Sequence, residues 1–152
     1  GYEYVVQFDA DGQHLPEYIH IMKGKMDEGF DVVIGSRFVE EKKPWTARMI
    51  GSRLISGAIR LTTGAKINDP TSGMRMFNRA SMLKFIKNAN YGPEPDTIAS
   101  LIKSGSRVAE VQVKMEERIA GTSYLSFTKS IAYMARMIVS IVVIQNYKRK
   151  KT

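Results

Sequence analysis

The sequence opens on an apolar run, Tyr2 to Phe8, that stops at two carboxylates two residues apart, Asp9 and Asp11, followed by Gly12, Gln13 and His14. The run has the composition of a β-strand, and acids at the carboxyl end of a strand restrict the fold sharply. In open α/β sheets, ligands gather in the crevice outside the carboxyl ends of the strands. Oxygen donors favour Mg²⁺ or Mn²⁺, and Mg²⁺ commonly links one or two carboxylates to substrate phosphates. The opening therefore points to metal-assisted chemistry on a phosphate-bearing substrate.

The rest of the chain alternates strand and helix patterns. Pro16 to Glu28 reads as a helix, with proline in its first turn, Ile19, Met22 and Met26 at helical spacing and Gly29 as its stop. Asp31 to Gly35 is a short buried strand running into Ser36 and Arg37, then a charged linker with Lys42, Lys43, Pro44 and Trp45. Ala47 to Thr63 carries a helical stripe of Ile50, Leu54, Ile55, Ala58 and Ile59, ended by Gly64. A turn-rich loop, Asp69 to Gly73, leads into a strand over Met74 to Phe77. The spacing then predicts helices over Arg79–Lys87 and Asp96–Ser104, a strand over Arg107–Lys114 and a long amphipathic helix over Tyr124–Tyr147. Strands alternating with helices indicate an α/β layer fold. There is no internal repeat.

Composition narrows the class. With 152 residues, 43% hydrophobic and 25% charged, the chain can bury the core of one ordinary domain. It has no cysteine, which excludes disulfides and thiolate metal sites and suits a reducing compartment. The net charge of +8 favours anionic substrates or surfaces. Charge is densest in Lys148 to Lys151, just after the last helical pattern, an arrangement suited to an anionic leaflet. The basic residues are not interleaved with aromatics in a stacking pattern, so nucleic acid is not an expected partner.

A calcium EF-hand loop counted from Asp9 would need glycine at its sixth position and glutamate at its twelfth, where this chain has His14 and His20; that reading fails. A haloacid-dehalogenase-type phosphatase also begins with a strand and D-x-D-G, and would use Asp9 as nucleophile. That type continues with Thr where Gln13 stands here, and no Asp-Asp pair or equivalent acidic strand end follows. It is retained as the alternative, beside a non-catalytic basic binding module.

Four segments occur in order: Asp9-Ala-Asp-Gly-Gln-His, Val33-Ile-Gly-Ser-Arg, Asp69-Pro-Thr-Ser-Gly-Met-Arg and Glu117-Arg-Ile-Ala-Gly-Thr-Ser. Together they resemble the family 2 glycosyltransferases of GT-A fold, in particular the polyprenyl-phosphate sugar transferases similar to dolichol-phosphate mannose synthase. The resemblance covers nearly the whole chain. It implies part of a Rossmann-like mixed sheet flanked by helices, and inverting transfer of a sugar from a nucleotide-diphosphate donor to a lipid-phosphate or lipid-linked saccharide acceptor. Asp9, Asp11 and Gln13 would hold Mg²⁺ or Mn²⁺ on the donor diphosphate. Arg37, Arg48 and Ser52 match positions near the acceptor phosphate, and Arg118 closes over the same site. Asp69 and Arg75 bracket a loop that shapes the acceptor pocket. Glu94 and Asp96 occupy the place of an acidic residue facing the acceptor, with Asp96 the first to test as a base and Asp69 the second catalytic candidate. His14 is expected beside the site or exposed, and His20 on a helix face.

Family members begin with a strand-loop resembling Pro-x-Tyr-Asn-Glu and two further β-α units that bind the nucleoside; this chain opens at the metal-motif strand. The expectation is a carboxyl-terminal portion: a catalytic-domain fragment over 1–123, then an amphipathic helix and basic tail over 124–152. The fragment would be inactive alone, and it would either form a homo-oligomer or have its missing N-terminal half supplied elsewhere. It would lie in the cytoplasm, at the inner face of a membrane.

Overall fold

The computed structural model describes residues 1–9, 12–87, 94–116 and 127–144. Its elements run β1 (Tyr4–Gln7), a 3₁₀ turn (Pro16–Tyr18), α1 (Ile19–Asp27), β2 (Val32–Ser36), α2 (Ala47–Thr63), β3 (Arg75–Asn78), α3 (Arg79–Lys87), α4 (Pro95–Lys103), β4 (Val108–Gln112) and α5 (Phe127–Val139), which passes into a π-helical turn (Ser140–Ile144). Asp11, Arg118, the Glu117–Ser123 segment and the basic tail lie outside the described residues.

The four strands form an open mixed sheet in the order β1-β3-β2-β4. β2 and β4 are parallel, while β3 runs antiparallel to both β1 and β2. Alternation along each strand assigns its two faces. Val32, Ile34 and Phe77 point into a core built with Ile55 and Ile59 of α2, Ile98 and Leu101 of α4, and Met137 and Ile141 beyond. Val33, Met76, Val111 and Val113 point the other way, onto Met22 and Met26 of α1. β2 is buried along its whole length because helices cover both faces, which explains its unbroken apolar run. The result is a three-layer α/β sandwich, with β1 at one edge of the sheet.

Local chemistry sets the helix ends. Thr46 caps α2 by accepting the Met49 amide at 3.3 Å. Gly64 closes it in the left-handed region at φ +79°, which only glycine adopts without cost. α2 meets α5 so closely that a Cβ on Gly51 would overlap the Met134 sulfur.

The long last helix expected from the sequence is present over the described residues 127–144. Within the described residues its regular part ends at Val139. There the Ser140 hydroxyl donates to Asp96 Oδ2 at 2.6 Å, and Lys103 Nζ donates to the Ile141 carbonyl at 3.3 Å. These contacts draw side chain and carbonyl toward α4 and accompany the wider turn, a feature common where helices meet functional segments. Among the described residues, no helix is long and apolar enough to cross a membrane.

Candidate active site at the carboxyl ends of the strands

Because β3 runs against its neighbours, its amino end lies at the same edge as the carboxyl ends of β1, β2 and β4. Register makes this concrete: Arg75 pairs with Gln7 on one side and Ile34 on the other, and Ser36 pairs with Gln112. The loop from Asp69 to Met74 therefore arrives between the end of β1, which carries Asp9, and the end of β2, which carries Arg37.

Asp9 follows β1 with its side chain about half exposed. Its Oδ2 lies 3.4 Å from His14 Nε2, and the buried His14 ring sits against Phe8. The carboxylate also rests on Gly73, where a Cβ would come within 2.1 Å of Oδ2. Glycine is thus needed at 73 for the acid to stand over the loop. Gln13 is tied to the segment after β4: its carbonyl accepts the Glu116 amide at 3.0 Å, and its Nε2 donates to the Glu116 carbonyl at 3.4 Å. Carboxylate and amide oxygens are the hard donors that Mg²⁺ and Mn²⁺ prefer. Among the described residues there is no group of three or more His, Asp or Glu placed to hold a metal.

Arg37 is gripped by Asp69. Its Nε and Nη2 donate to the two carboxylate oxygens at 2.7 and 2.9 Å, a bidentate fork, and its backbone amide adds a third contact at 3.3 Å. Asp69 is fully buried, whereas the Arg37 side chain is 23% exposed. Thr71 Oγ1 donates to Asp69 at 3.2 Å and contacts Ser52 Oγ at 3.3 Å, and Lys43 Nζ donates to Ser52 at 3.0 Å. Burial lowers the Lys43 pKa, with Arg53 and Arg37 adding to the effect and Asp69 opposing it. Arg48, four residues before Ser52 on α2, is exposed.

Arg75 is buried and spends its guanidinium on backbone carbonyls: Ser72 at 3.0 Å, Pro70 at 2.8 Å and Glu94 at 3.3 Å. Burial pushes its pKa down, and Tyr133, Glu94, Asp69 and Asp9 push it back up. Its contacts fix the 69–73 loop from beneath and tie that loop to the start of α4. There the Glu94 carboxylate accepts the Tyr133 hydroxyl and Asp96, 4% exposed, accepts from Ser140. Burial and then the Glu94 contact raise the Tyr133 pKa well above the ordinary phenol value.

Sequence reasoning missed the braces supplied by β4. Glu110 accepts the amides of Asn68 and Asp69 at 2.7 and 2.8 Å. Gln112 Oε1 accepts the amides of Val39 and Glu40, while its Nε2 donates to the Arg37 carbonyl at 3.0 Å. Two polar residues at i and i+2 near the end of an otherwise apolar strand were the available signal.

An open mixed sheet with flanking helices, acid at the end of one strand and arginine at the end of the next, defines a partial GT-A, Rossmann-like fold. The chain belongs to glycosyl transferase family 2, whose model matches residues 1–85, from β1 into α3. It is 32% identical over 134 residues to the polyprenol monophosphomannose synthase of Mycolicibacterium smegmatis, covering 83% of this chain and 50% of that protein. Over 133 residues it is 34% identical to the undecaprenyl-phosphate mannosyltransferase of Micrococcus luteus, covering 83% and 54%. The undecaprenyl-phosphate 4-deoxy-4-formamido-L-arabinose transferase of Edwardsiella ictaluri is 32% identical over 136 residues, covering 88% and 40%. The chain thus spans about half the length of the curated relatives it matches. Family membership sets aside the phosphatase alternative.

Proposed function

We propose that this chain carries the diphosphate and acceptor side of a family 2 glycosyltransferase that passes a sugar from a nucleotide-diphosphate donor to a polyprenyl phosphate, with inversion. The observation that carries the reading is the convergence at one sheet edge of Asp9, the Gly73 loop and the Arg37–Asp69 pair. The names of the relatives favour a lipid-phosphate acceptor.

In this reading Asp9 and Gln13, with Asp11, hold the divalent cation. Such a cation offsets the charge that builds on the departing diphosphate. Arg37, held by Asp69, presents its guanidinium to the acceptor phosphate, whose oxygens match a planar fork. Arg48, Ser52 and Arg118 complete that side. We assign Asp69 and Arg75 to positioning: the first orients Arg37, the second shapes the loop beneath Asp9.

The acids of α4 favour a phosphate nucleophile over a sugar hydroxyl. A hydroxyl needs a carboxylate free to take its proton, whereas a phosphate is already ionised at neutral pH. Here Asp96 is buried, its Oδ2 taken by Ser140 and its Oδ1 sealed from solvent, and Glu94 is occupied by Tyr133.

Calorimetric titration of UDP and GDP, with and without Mn²⁺, tests the diphosphate site. The expected result is metal-dependent binding lost in Asp9→Asn and Asp11→Ala. Binding that is indifferent to metal and to both variants would overturn the assignment.

A further inference from the structure

A second cationic site lies along the flank of α2. Arg53, Ser56, Gly57 and Arg60 fall at i, i+3, i+4 and i+7 and so share one helix face. They line a cleft of about 370 Å³, walled by Phe38, Glu41 and Lys43 from the linker on one side and by Lys66, Ile67 and Asn68 on the other. Four cations, Lys43, Arg53, Arg60 and Lys66, face one acid, Glu41.

The cleft is built, and part of its chemistry is unspent. Arg53 is structural: it donates to the carbonyls of Lys43 and Pro44 and stacks over Trp45 at 4.2 Å, which pins the linker to α2. Arg60 and Lys66 are exposed and have no ion-pair partner among the described residues. The Ser56 hydroxyl is buried and has no hydrogen-bond partner among them either. Gly57 keeps the floor open, since a Cβ there would meet nothing within 4 Å. Half-buried Lys43 has a lowered pKa, the direction that a bound anion would reverse.

We propose that this cleft binds a phosphate-group anion, through Arg60, Lys66 and the Ser56 hydroxyl, at a site separate from the Asp9 edge. Exposed cations without ion-pair partners among the described residues, a buried donor without an acceptor and an open floor share one complement, a compact oxyanion with several acceptor oxygens.

The test uses pyrophosphate without divalent metal, titrated calorimetrically into the full chain. Sedimentation with phosphatidylcholine vesicles, with and without phosphatidylglycerol, forms the second arm. Saturable pyrophosphate binding identifies a soluble phosphate ligand. Binding only to vesicles containing phosphatidylglycerol identifies a lipid headgroup. Either is expected to weaken at least ten-fold in the double variant Arg60→Ala/Lys66→Ala. Gly57→Glu, which adds an acid to the cleft floor, should weaken it similarly, and Asp9→Asn should leave it intact. Failure of both probes to bind, binding that survives both cleft variants, or binding lost with Asp9→Asn would each overturn the proposal. Because no metal is present, failure here leaves the metal-dependent diphosphate site standing.

Discussion

Asp69→Asn removes one charge from the ion pair at the centre of the site and changes almost no volume. In the native protein Asp69 is fully buried and accepts two charge-assisted bonds from Arg37, at 2.7 and 2.9 Å. Removing one partner of a buried pair costs about 3–5 kcal/mol, because the other charge is left uncompensated. Arg37 is 23% exposed, so water takes up part of that charge and the lower end applies, about 3 kcal/mol. For a chain of this size that corresponds to a fall in Tm of roughly 6–12 °C. Arg37→Met leaves the carboxylate sealed with only Thr71 and the backbone amide of residue 37 as donors, and should cost at least as much. Urea unfolding of both single variants and of the double variant closes a mutant cycle. A coupling of about 2 kcal/mol or more is expected, whereas exposed ion pairs give about 0.2–1 kcal/mol. A coupling below about 1 kcal/mol would show that Asp69 does not hold Arg37 in a desolvated grip, and the positioning role would fall with it.

Three further outcomes follow from particular contacts. Gly73→Ala puts a methyl where Asp9 Oδ2 rests, so Mn²⁺-dependent UDP or GDP binding should weaken about ten-fold or more, about 1.4 kcal/mol, with little change in the urea midpoint. Tyr133 has a pKa above the unfolded value of 10.0, so above pH 10 the folded state binds more protons than the unfolded one; stability should fall as pH rises past 10, and an alkaline tyrosine titration should show a late phenol that Tyr133→Phe removes. Gly57→Ala in the interior of α2 meets no neighbour and should raise stability by about 0.5–1 kcal/mol in urea unfolding, whereas Gly51→Leu, forced against Met134, should lower it by about 1–3 kcal/mol.

The elements were legible because periodicity is local. The stripe of α2, the unbroken run of β2 and the proline opening the first helical turn all follow from spacings within a few residues. Ends shifted where partners are tertiary: β1 pairs over Tyr4–Gln7, and α5 passes into a wider turn at Ser140, where Asp96, distant in sequence, takes the hydroxyl. The position of β3 between β1 and β2 is a matter of strand pairing that no short window encodes. Motif order alone groups Asp9, Arg37, Asp69 and Arg75. Which charges pair could not be read there: the Arg37 fork and the Glu110 and Gln112 braces join residues far apart in sequence.

The α4–α5 junction behaves as a two-bolt joint. One bolt is Tyr133 on Glu94 and the other is Ser140 on Asp96, seven residues apart on one element and two apart on the other. Glu94 also lends its carbonyl to Arg75, which holds the loop under Asp9. A load applied to the C-terminal helix, by a lipid surface or by another polypeptide, therefore has a short path to the Asp69–Gly73 loop. Shearing that joint would loosen the Asp69–Gly73 loop without any ligand touching it.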